Sequence, residues 1–191
     1  MSGGVNIEIS AETMEKVNEL LAGVPNGAER AYSNALNRGL SKIKTTALKS
    51  AKEVYTVQAS ALNAATNTQI QKASTGNLAG YVRFAGYKIP LYKFKVTPKK
   101  PGGNRRVRAA VKKGGGAVFE SAFIAAMKNG HTGVFERDGR KRLPVSEFMG
   151  LSAAQMVGET TVSEKVQEEA QRIVDARLEH EINRLLNKYG G

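Results

Sequence analysis

Cysteine is absent from this chain, and several other features that define common protein classes are missing too. Without a cysteine among its 191 residues, the protein has neither a disulfide framework nor a thiolate metal site. No apolar run approaches the ~18 residues that a membrane span needs. The amino terminus, MSGGVNIEIS, has neither the basic start nor the long apolar stretch of a secretory signal. We therefore expect a soluble intracellular protein with no membrane partner.

Residue patterns that support catalysis or metal binding are also missing. The two histidines, His131 and His180, lie far apart in sequence, which argues against a zinc site. The glycine run at 114–116 is not followed by the lysine-serine or lysine-threonine pair of a phosphate-binding loop. No acidic cluster is present to hold the metal ions of an enzyme acting on DNA. The sequence therefore predicts a protein that is not an enzyme and that carries no cofactor or metal.

Negative charge is missing from the middle third of the chain, although the whole protein carries a formal net charge of +12. Residues 54–119 contain 12 basic side chains and no acidic one, whereas residues 1–53 contain 7 basic and 6 acidic, and residues 120–191 contain 10 and 11. A segment without carboxylates cannot neutralise itself through local pairs. Its counter-charge is therefore expected to be phosphate or an acidic face of a partner. An ordinary charged, soluble surface is the alternative explanation.

Helical periodicity is strongest towards the two ends of the chain. From Ala28 to about Tyr55, apolar and small residues recur every three or four positions, which predicts a long helix that another helix can approach closely. A second apolar stripe predicts a helix over residues 160–189, and we expect it to pack against the first. A shorter helix is predicted before both, ending at Gly23 and Pro25.

Alternating residues predict short strands near the amino terminus and in the middle of the chain. Val5, Ile7 and Ile9 predict the first strand, and Ser10 follows them as the N-cap of the first helix. Residues 56–80 are polar and predict one short helix.

Beyond Gly80 the apolar period changes to two. Strands are expected around residues 82–84, 87–91 and 92–96, with basic side chains on the face opposite the aromatic ones. Residues 117–127 fit either a strand or a short helix, because periodicity does not separate the two.

The loop TPKKPGGNRR, residues 97–106, carries four positive charges and no apolar anchor. Residues 107–111 then resume the alternation and predict a return strand. Together the loop and its flanking strands are predicted to form a hairpin with a long basic finger, which is either disordered surface or an arm that orders on a partner.

The stretch VFERDGRKRLPV, residues 134–145, combines a turn signal with dense positive charge. Asp138-Gly139 is favoured in a two-residue type I′ turn, because Asp and Gly tolerate the positive φ of both central positions. Pro144 cannot donate to a ladder, so the outgoing strand is expected at a sheet edge or to end there. The basic residues outnumber the nearby acidic ones.

A resemblance to a known family is carried by residues 121–157, SAFIAAMKNGHTGVFERDGRKRLPVSEFMGLSAAQMV. This segment resembles the signature region of the phage minor tail protein Z family, the tail-completion proteins of long-tailed phages. The matching positions are Phe123, Gly133, Val134, Phe135, Arg137, Gly139, Arg142, Leu143 and Pro144. ALNRGLSKIKT at 35–45, the step Tyr55-Thr56-Val57 and the strands around LYKFKV are also similar, so the resemblance spans most of the chain. Leu151 stands where the family usually has proline, which predicts a looser turn before the last helix.

The resemblance implies a structural virion protein that completes the head-proximal end of the tail, in the neck where head and tail join. It implies a homo-oligomeric ring around the DNA channel, with a hexamer as one candidate. The implied partners are the tail tube or tail terminator and the head-connector proteins. The implied location is the virion tail or neck, with the host cytoplasm during assembly. A free-standing basic protein that binds nucleic acid without sequence specificity is the alternative.

The predicted fold class is α+β, with long amphipathic helices at both ends of the chain packed on a small antiparallel sheet that carries the basic finger. We expect a single domain over residues 1–191, with a helical part at 1–80, a β-rich basic part at 81–145 and the long C-terminal helix at 160–189.

The candidate functional residues form two sets. Those expected to face DNA in the channel, through non-specific phosphate contacts, are Lys93, Lys95, Lys99, Lys100, Arg105, Arg106, Arg108, Lys112 and Lys113. Those expected at the interface between subunits are Phe135, Arg137, Arg142, Leu143 and Pro144. In a ring, an acidic neighbour can face the arginines of the second set.

Overall fold

A computed structural model describes residues 3–6, 11–102 and 106–189. It confirms the α+β class, with long helices towards both ends of the chain and short strands between them. The helices are α1 (Ala11–Leu20), α2 (Gly27–Val54), α3 (Ala59–Ala65), α4 (Ala153–Val157) and α5 (Thr160–Tyr189). The strands are β1 (Gly3–Asn6), β2 (Asn67–Gln71), β3 (Tyr81–Ala85), β4 (Lys88–Pro90), β5 (Lys95–Thr97), β6 (Val107–Ala110), β7 (Ala117–Phe119), β8 (Phe123–Ala126), β9 (Thr132–Arg137), β10 (Val145–Glu147) and β11 (Met149–Ser152). None of the described helices is both long and apolar enough to cross a membrane.

The chain divides into two compact units, and the first, here called the helical unit, comprises residues 2–47, 68–84 and 158–191. In it α2 and α5 run antiparallel, because contacts join Arg30 to Tyr189 and Asn34 to Glu181. This confirms the predicted packing of the two long helices. A three-stranded sheet in the order β1-β3-β2 completes the unit. Its large buried side chains are Tyr32, Leu36, Leu40, Ile43, Val82, Phe84, Val174, Leu178 and Leu185.

The second unit, here called the sheet unit, comprises residues 48–67 and 85–157. It contains three small sheets, in the orders β5-β6-β7, β10-β9-β8 and β11-β4. The strand pairs of these sheets are antiparallel. Its large buried side chains are Tyr55, Leu62, Ile89, Leu91, Phe94 and Met156. The expected small sheet is thus, within the described residues, a set of four small sheets.

The strand predicted over 92–96 is partly wrong. Residues Leu91–Lys93 form a 3-10 turn, closed by a hydrogen bond from the Phe94 N–H to the Leu91 carbonyl. The turn buries Leu91 and Phe94 on one side, so the pairing with β6 begins only at Lys95. Because Lys93 lies in this turn, it does not extend from the strand beside Lys95 as the alternation predicted.

Two other regions differ from the predicted elements. The polar segment 56–80 contains the predicted short helix, α3, and also the unpredicted strand β2. Residues 117–127 form two strands, β7 and β8, separated by a turn, which resolves the open choice in favour of strand. At the amino terminus β1 covers Gly3–Asn6. The rest of the predicted first strand, with Ile7 and Ile9, lies outside the described residues, as does Ser10.

The two-residue type I′ turn predicted at Asp138-Gly139 is wrong. The last pairs of the hairpin join Arg137 to Val145 and Glu136 to Ser146, so the connecting loop covers residues 138–144. Gly139 does not adopt a positive φ. Because Pro144 has no N–H to donate, pairing starts after it, and β10 is the edge strand of its sheet as predicted. The Asp138 carboxylate accepts a hydrogen bond of 2.7 Å from the Ser146 hydroxyl, which closes the base of the loop.

The turn after β11 is fixed by a capping box. The Ser152 hydroxyl accepts a hydrogen bond from the Gln155 N–H at 3.2 Å, and the Gln155 side chain accepts one from the Ser152 N–H at 3.0 Å. This reciprocal pair starts α4, a short helix that the sequence did not predict. The looser turn expected from Leu151 is therefore held here by side-chain hydrogen bonds.

Candidate nucleic-acid and subunit interfaces

The strands β5 and β6 present basic side chains on one face and apolar side chains on the other. Lys95 pairs with Ala110 and Thr97 with Arg108, so Lys95 and Arg108 lie on the same face, and both are exposed. The opposite face carries Val96, which is buried together with Val107 and Ala109. This register places cations in solvent because the alternate residues form the core of the unit.

The basic finger, defined as residues 98–106 between β5 and β6, is anchored near its start by Tyr92. The Tyr92 hydroxyl donates to the Lys99 carbonyl at 2.7 Å, and the Lys99 ammonium lies 5.4 Å from the centre of the Tyr92 ring. Lys100 is exposed, and Arg106 forms an exposed ion pair with Glu120 at 3.0 Å. The first acidic residue after the basic segment thus neutralises one of its cations.

The other candidates for phosphate contact differ from one another in exposure and in their contacts. Lys93 is half-buried, and Lys113 is exposed. Lys112 lies over the Tyr55 ring, 5.7 Å from its centre, and is joined to Tyr55 by an isolated β-bridge. Arg105 lies outside the described residues. The structure therefore brings Lys95 and Arg108 together on one face and puts Lys99, Lys100 and Arg106 on the finger.

Thr56 holds the base of this hairpin. Its hydroxyl donates to the Ala110 carbonyl of β6 and accepts a hydrogen bond of 3.1 Å from the Lys95 N–H of β5. Its own N–H donates to the Val111 carbonyl at 2.9 Å. One side chain thus bridges both strands where the basic face begins.

We expect Thr56→Val to destabilise the protein by about 1 to 2 kcal/mol. Valine has nearly the same shape but leaves the Lys95 N–H and the Ala110 carbonyl without this partner. Urea unfolding monitored by circular dichroism measures the change. Thr56→Ser keeps the hydroxyl and should recover most of the loss. A valine variant as stable as the wild type, or a serine variant less stable than the valine variant, would show that the hydroxyl bridge does not hold the hairpin.

The loop at 138–144 exposes several basic side chains and one large apolar side chain. Leu143 is 66% exposed, and Arg140, Lys141 and Arg142 are exposed around it. Arg137 donates to the Arg142 carbonyl at 2.8 Å, and its guanidinium lies 5.2 Å from the centre of the Phe123 ring. Within the described part of the chain, no carboxylate forms an ion pair with these four basic side chains.

Phe135 lies in the core of the sheet unit rather than on its surface. It is 5% exposed, packs 6.3 Å from the Phe123 ring and meets the His131 ring edge-on. His131 in turn contacts the Glu147 carboxylate at 2.8 Å. A side chain at Gly133 would meet Phe135 and Glu147, so this packing requires the glycine of the GVF motif. The exposed part of the candidate subunit interface is therefore Arg137, Arg142, Leu143 and Pro144.

Between α2 and α5, the helical unit contains an open polar cavity that sequence reasoning missed. Its volume is about 450 Å³. Its lining residues are Asn34, Asn37, Arg38, Ser41, Arg177, Glu181 and Arg184. Glu181 is 2% exposed and binds three partners: Arg177 at 2.7 Å, Arg184 at 2.8 Å and the Asn34 amide at 3.2 Å.

The electrostatics of the cavity centre on Glu181. Burial raises the pKa of this carboxyl, but the hydrogen bonds from Arg184 and Asn34 and the charges of the two arginines outweigh burial, so its pKa lies below the ordinary value. Glu181 is therefore ionised in the folded protein at neutral pH.

No group of three or more metal-ligating side chains is found among the described residues. A comparison with curated proteins and one with solved structures give no significant match. The family model described as prophage minor tail protein Z (GPZ) matches residues 12–189.

The described residues thus combine a basic hairpin on small antiparallel sheets with a pair of long helices. The family match is more specific, because it covers nearly the whole chain. The chain belongs to the prophage minor tail protein Z family. It is therefore a structural protein of a phage tail, located in the virion.

Proposed function

We propose that this protein completes the head-proximal end of the tail, in the neck, as a homo-oligomeric ring around the DNA channel. Its partners in this role are the tail tube or tail terminator on one side and the head-connector proteins on the other. The proposal rests on the family membership together with the exposed basic surface of the sheet unit. No chemical step is needed for this role.

The basic face supports contact with DNA in the channel. Lys95 and Arg108 share an exposed face, and the finger extends from the same two strands. Neutralising DNA phosphates with these cations releases counterions, which favours binding without any reading of the base sequence. Because the DNA moves through the channel, such sequence-independent contacts suit the role.

The loop at 138–144 supports contact between subunits. An exposed leucine with arginines beside it provides an apolar contact with charged neighbours, and arginine is enriched at protein interfaces. The face of α5 that points away from its buried stripe carries the exposed carboxylates Glu164, Glu168 and Glu179. A head-to-tail contact between this acidic face and the basic loop of the next copy generates a closed ring when the rotation between copies closes.

We expect Leu143→Ser to prevent ring formation. Wild-type protein is run on a sizing column with light scattering, and the same peak is imaged in negative stain, both alone and after mixing with isolated tails. The wild type should form closed rings with a central opening, free or on tail ends, whereas Leu143→Ser should stay monomeric because it loses this apolar contact.

Leu20→Ser is the matched control, because Leu20 is also an exposed leucine, at 56%. It should form rings as the wild type does. A wild type that remains monomeric at all concentrations and is not recruited by tails would contradict the proposal. In that case strong, salt-sensitive DNA binding by the monomer would favour a free-standing nucleic-acid-binding protein.

A further inference from the structure

We propose that the cavity between α2 and α5 binds an oxyanion, a phosphate or a carboxylate group. Three arginines line it, Arg38, Arg177 and Arg184, and Glu181 provides its one negative charge. The net charge of the lining is therefore positive by two. This site lies in the helical unit and is independent of the basic hairpin and of the proposed ring.

The arginines retain unused hydrogen-bond donors. A guanidinium has five N–H groups, and the contacts of Arg177 and Arg184 with Glu181 use only some of them. Arg38 is exposed, and its guanidinium has no partner among the described residues. The cavity thus contains more hydrogen-bond donors than acceptors, and a bound oxyanion would supply the additional acceptors.

Glu181 prepares the site by fixing two of the arginines. Because its buried carboxylate holds Arg177 and Arg184 from opposite oxygens, their remaining N–H groups are oriented before any ligand arrives. Preorganised guanidinium groups recognise carboxylate and phosphate through paired hydrogen bonds. Asn37 has a separate role, since both ends of its amide bind the backbone of Ala73.

The size of the cavity fits an oxyanion attached to a larger group. A volume of about 450 Å³ exceeds what one small ion fills and lies in the range of ligand sites. The carboxylate side chain of a neighbouring virion protein and a phosphorylated small molecule share this chemistry. The experiment therefore uses one probe of each kind.

The test measures the thermal midpoint of the full chain against increasing inorganic phosphate and, separately, glutarate, with the ionic strength held constant by NaCl. We expect saturable stabilisation by at least one of the two anions. Arg38→Gln should weaken the apparent binding constant roughly tenfold to a hundredfold, the loss expected for a charged hydrogen bond. Because Arg38 is exposed, this variant is expected to fold.

Lys44→Gln is the control for charge alone. Lys44 is exposed on the same helix but, six residues on, it points about 120° away from Arg38. It should bind both anions as the wild type does. A response to phosphate alone identifies a phosphate site, and a response to glutarate alone identifies a carboxylate site. Absence of saturable binding, or equal binding by wild type and Arg38→Gln, would overturn the proposal.

Discussion

Replacing Glu181 by alanine is expected to destabilise the protein by about 3 kcal/mol. Glu181 is 2% exposed, and its loss leaves Arg177, Arg184 and the Asn34 amide without their shared acceptor. Removing one partner of a buried ion pair costs about 3 to 5 kcal/mol. We expect the lower end of this range, because the side chains of Arg177 and Arg184 are 37% and 41% exposed and water can partly replace the lost carboxylate. Urea unfolding at matched protein concentration measures the change.

Two variants make this prediction specific. Glu179→Ala removes an exposed carboxylate two residues away and is expected to change stability by less than about 0.5 kcal/mol. Glu181→Gln keeps an acceptor oxygen and should lie between the wild type and the alanine variant. If Glu179→Ala and Glu181→Ala destabilise equally, the buried network is not the cause.

The same network predicts how stability depends on pH. The pKa of Glu181 lies below its ordinary value of 4.5 in the folded protein. The stabilisation that the ionised Glu181 gives the folded protein is therefore fully present above pH 4.5. It is lost as the pH falls through the lower pKa of the folded state. We expect the stability gap between wild type and Glu181→Gln to be constant near neutral pH and to narrow in acid. A gap that widens in acid would contradict the assigned direction.

Removing the charges of the finger is expected to impair DNA placement and head joining without unfolding the protein. Changing Lys99, Lys100, Arg105 and Arg106 together to serine deletes four cations, of which Arg105 lies outside the described residues. If all four contact phosphates, the slope of log affinity against log salt should fall by up to about 3 to 4, since each contact contributes about 0.9. DNA binding across a salt series and complementation of a phage lacking the protein measure the two effects.

A control variant with the same change of net charge shows whether the effect depends on where the removed cations lie. Serine at Lys16, Lys128, Arg172 and Lys188 also removes four exposed cations, all from outside residues 54–119. This variant should keep the wild-type salt slope and most of the infectivity. Normal infectivity of the finger variant would remove the finger from the mechanism, whatever its effect on DNA binding in vitro.

The long helices were predictable because their apolar stripes repeat over many turns. The helix predicted from Ala28 to about Tyr55 is observed at Gly27–Val54, and that predicted at 160–189 is observed at Thr160–Tyr189. Short strands were harder, because a buried turn such as Leu91–Lys93 has the same alternation of apolar and charged residues as a strand. The loop at 138–144 was mispredicted because the Asp138-Gly139 dipeptide indicates a turn at its own position only. It does not determine where the pairing of the two flanking strands ends.

The polar cavity could not be predicted from sequence. Asn34 and Glu181 are separated by 147 positions, and only the antiparallel register of α2 and α5 brings them together. One signal was present: Arg177, Glu181 and Arg184 are spaced by four and three residues, which places them on one helix face. That pattern is common on solvated helices, and burial of the glutamate distinguishes this case.

The position of the protein on the virion tests the proposed function most directly. Antibody raised against the purified chain is bound to intact tails and to complete phage particles, and gold-labelled secondary antibody is located by electron microscopy. We expect one cluster of gold at the head-proximal end of isolated tails, with access reduced in particles where the head is joined. Gold at the distal tip or along the tail tube would contradict a role in the neck.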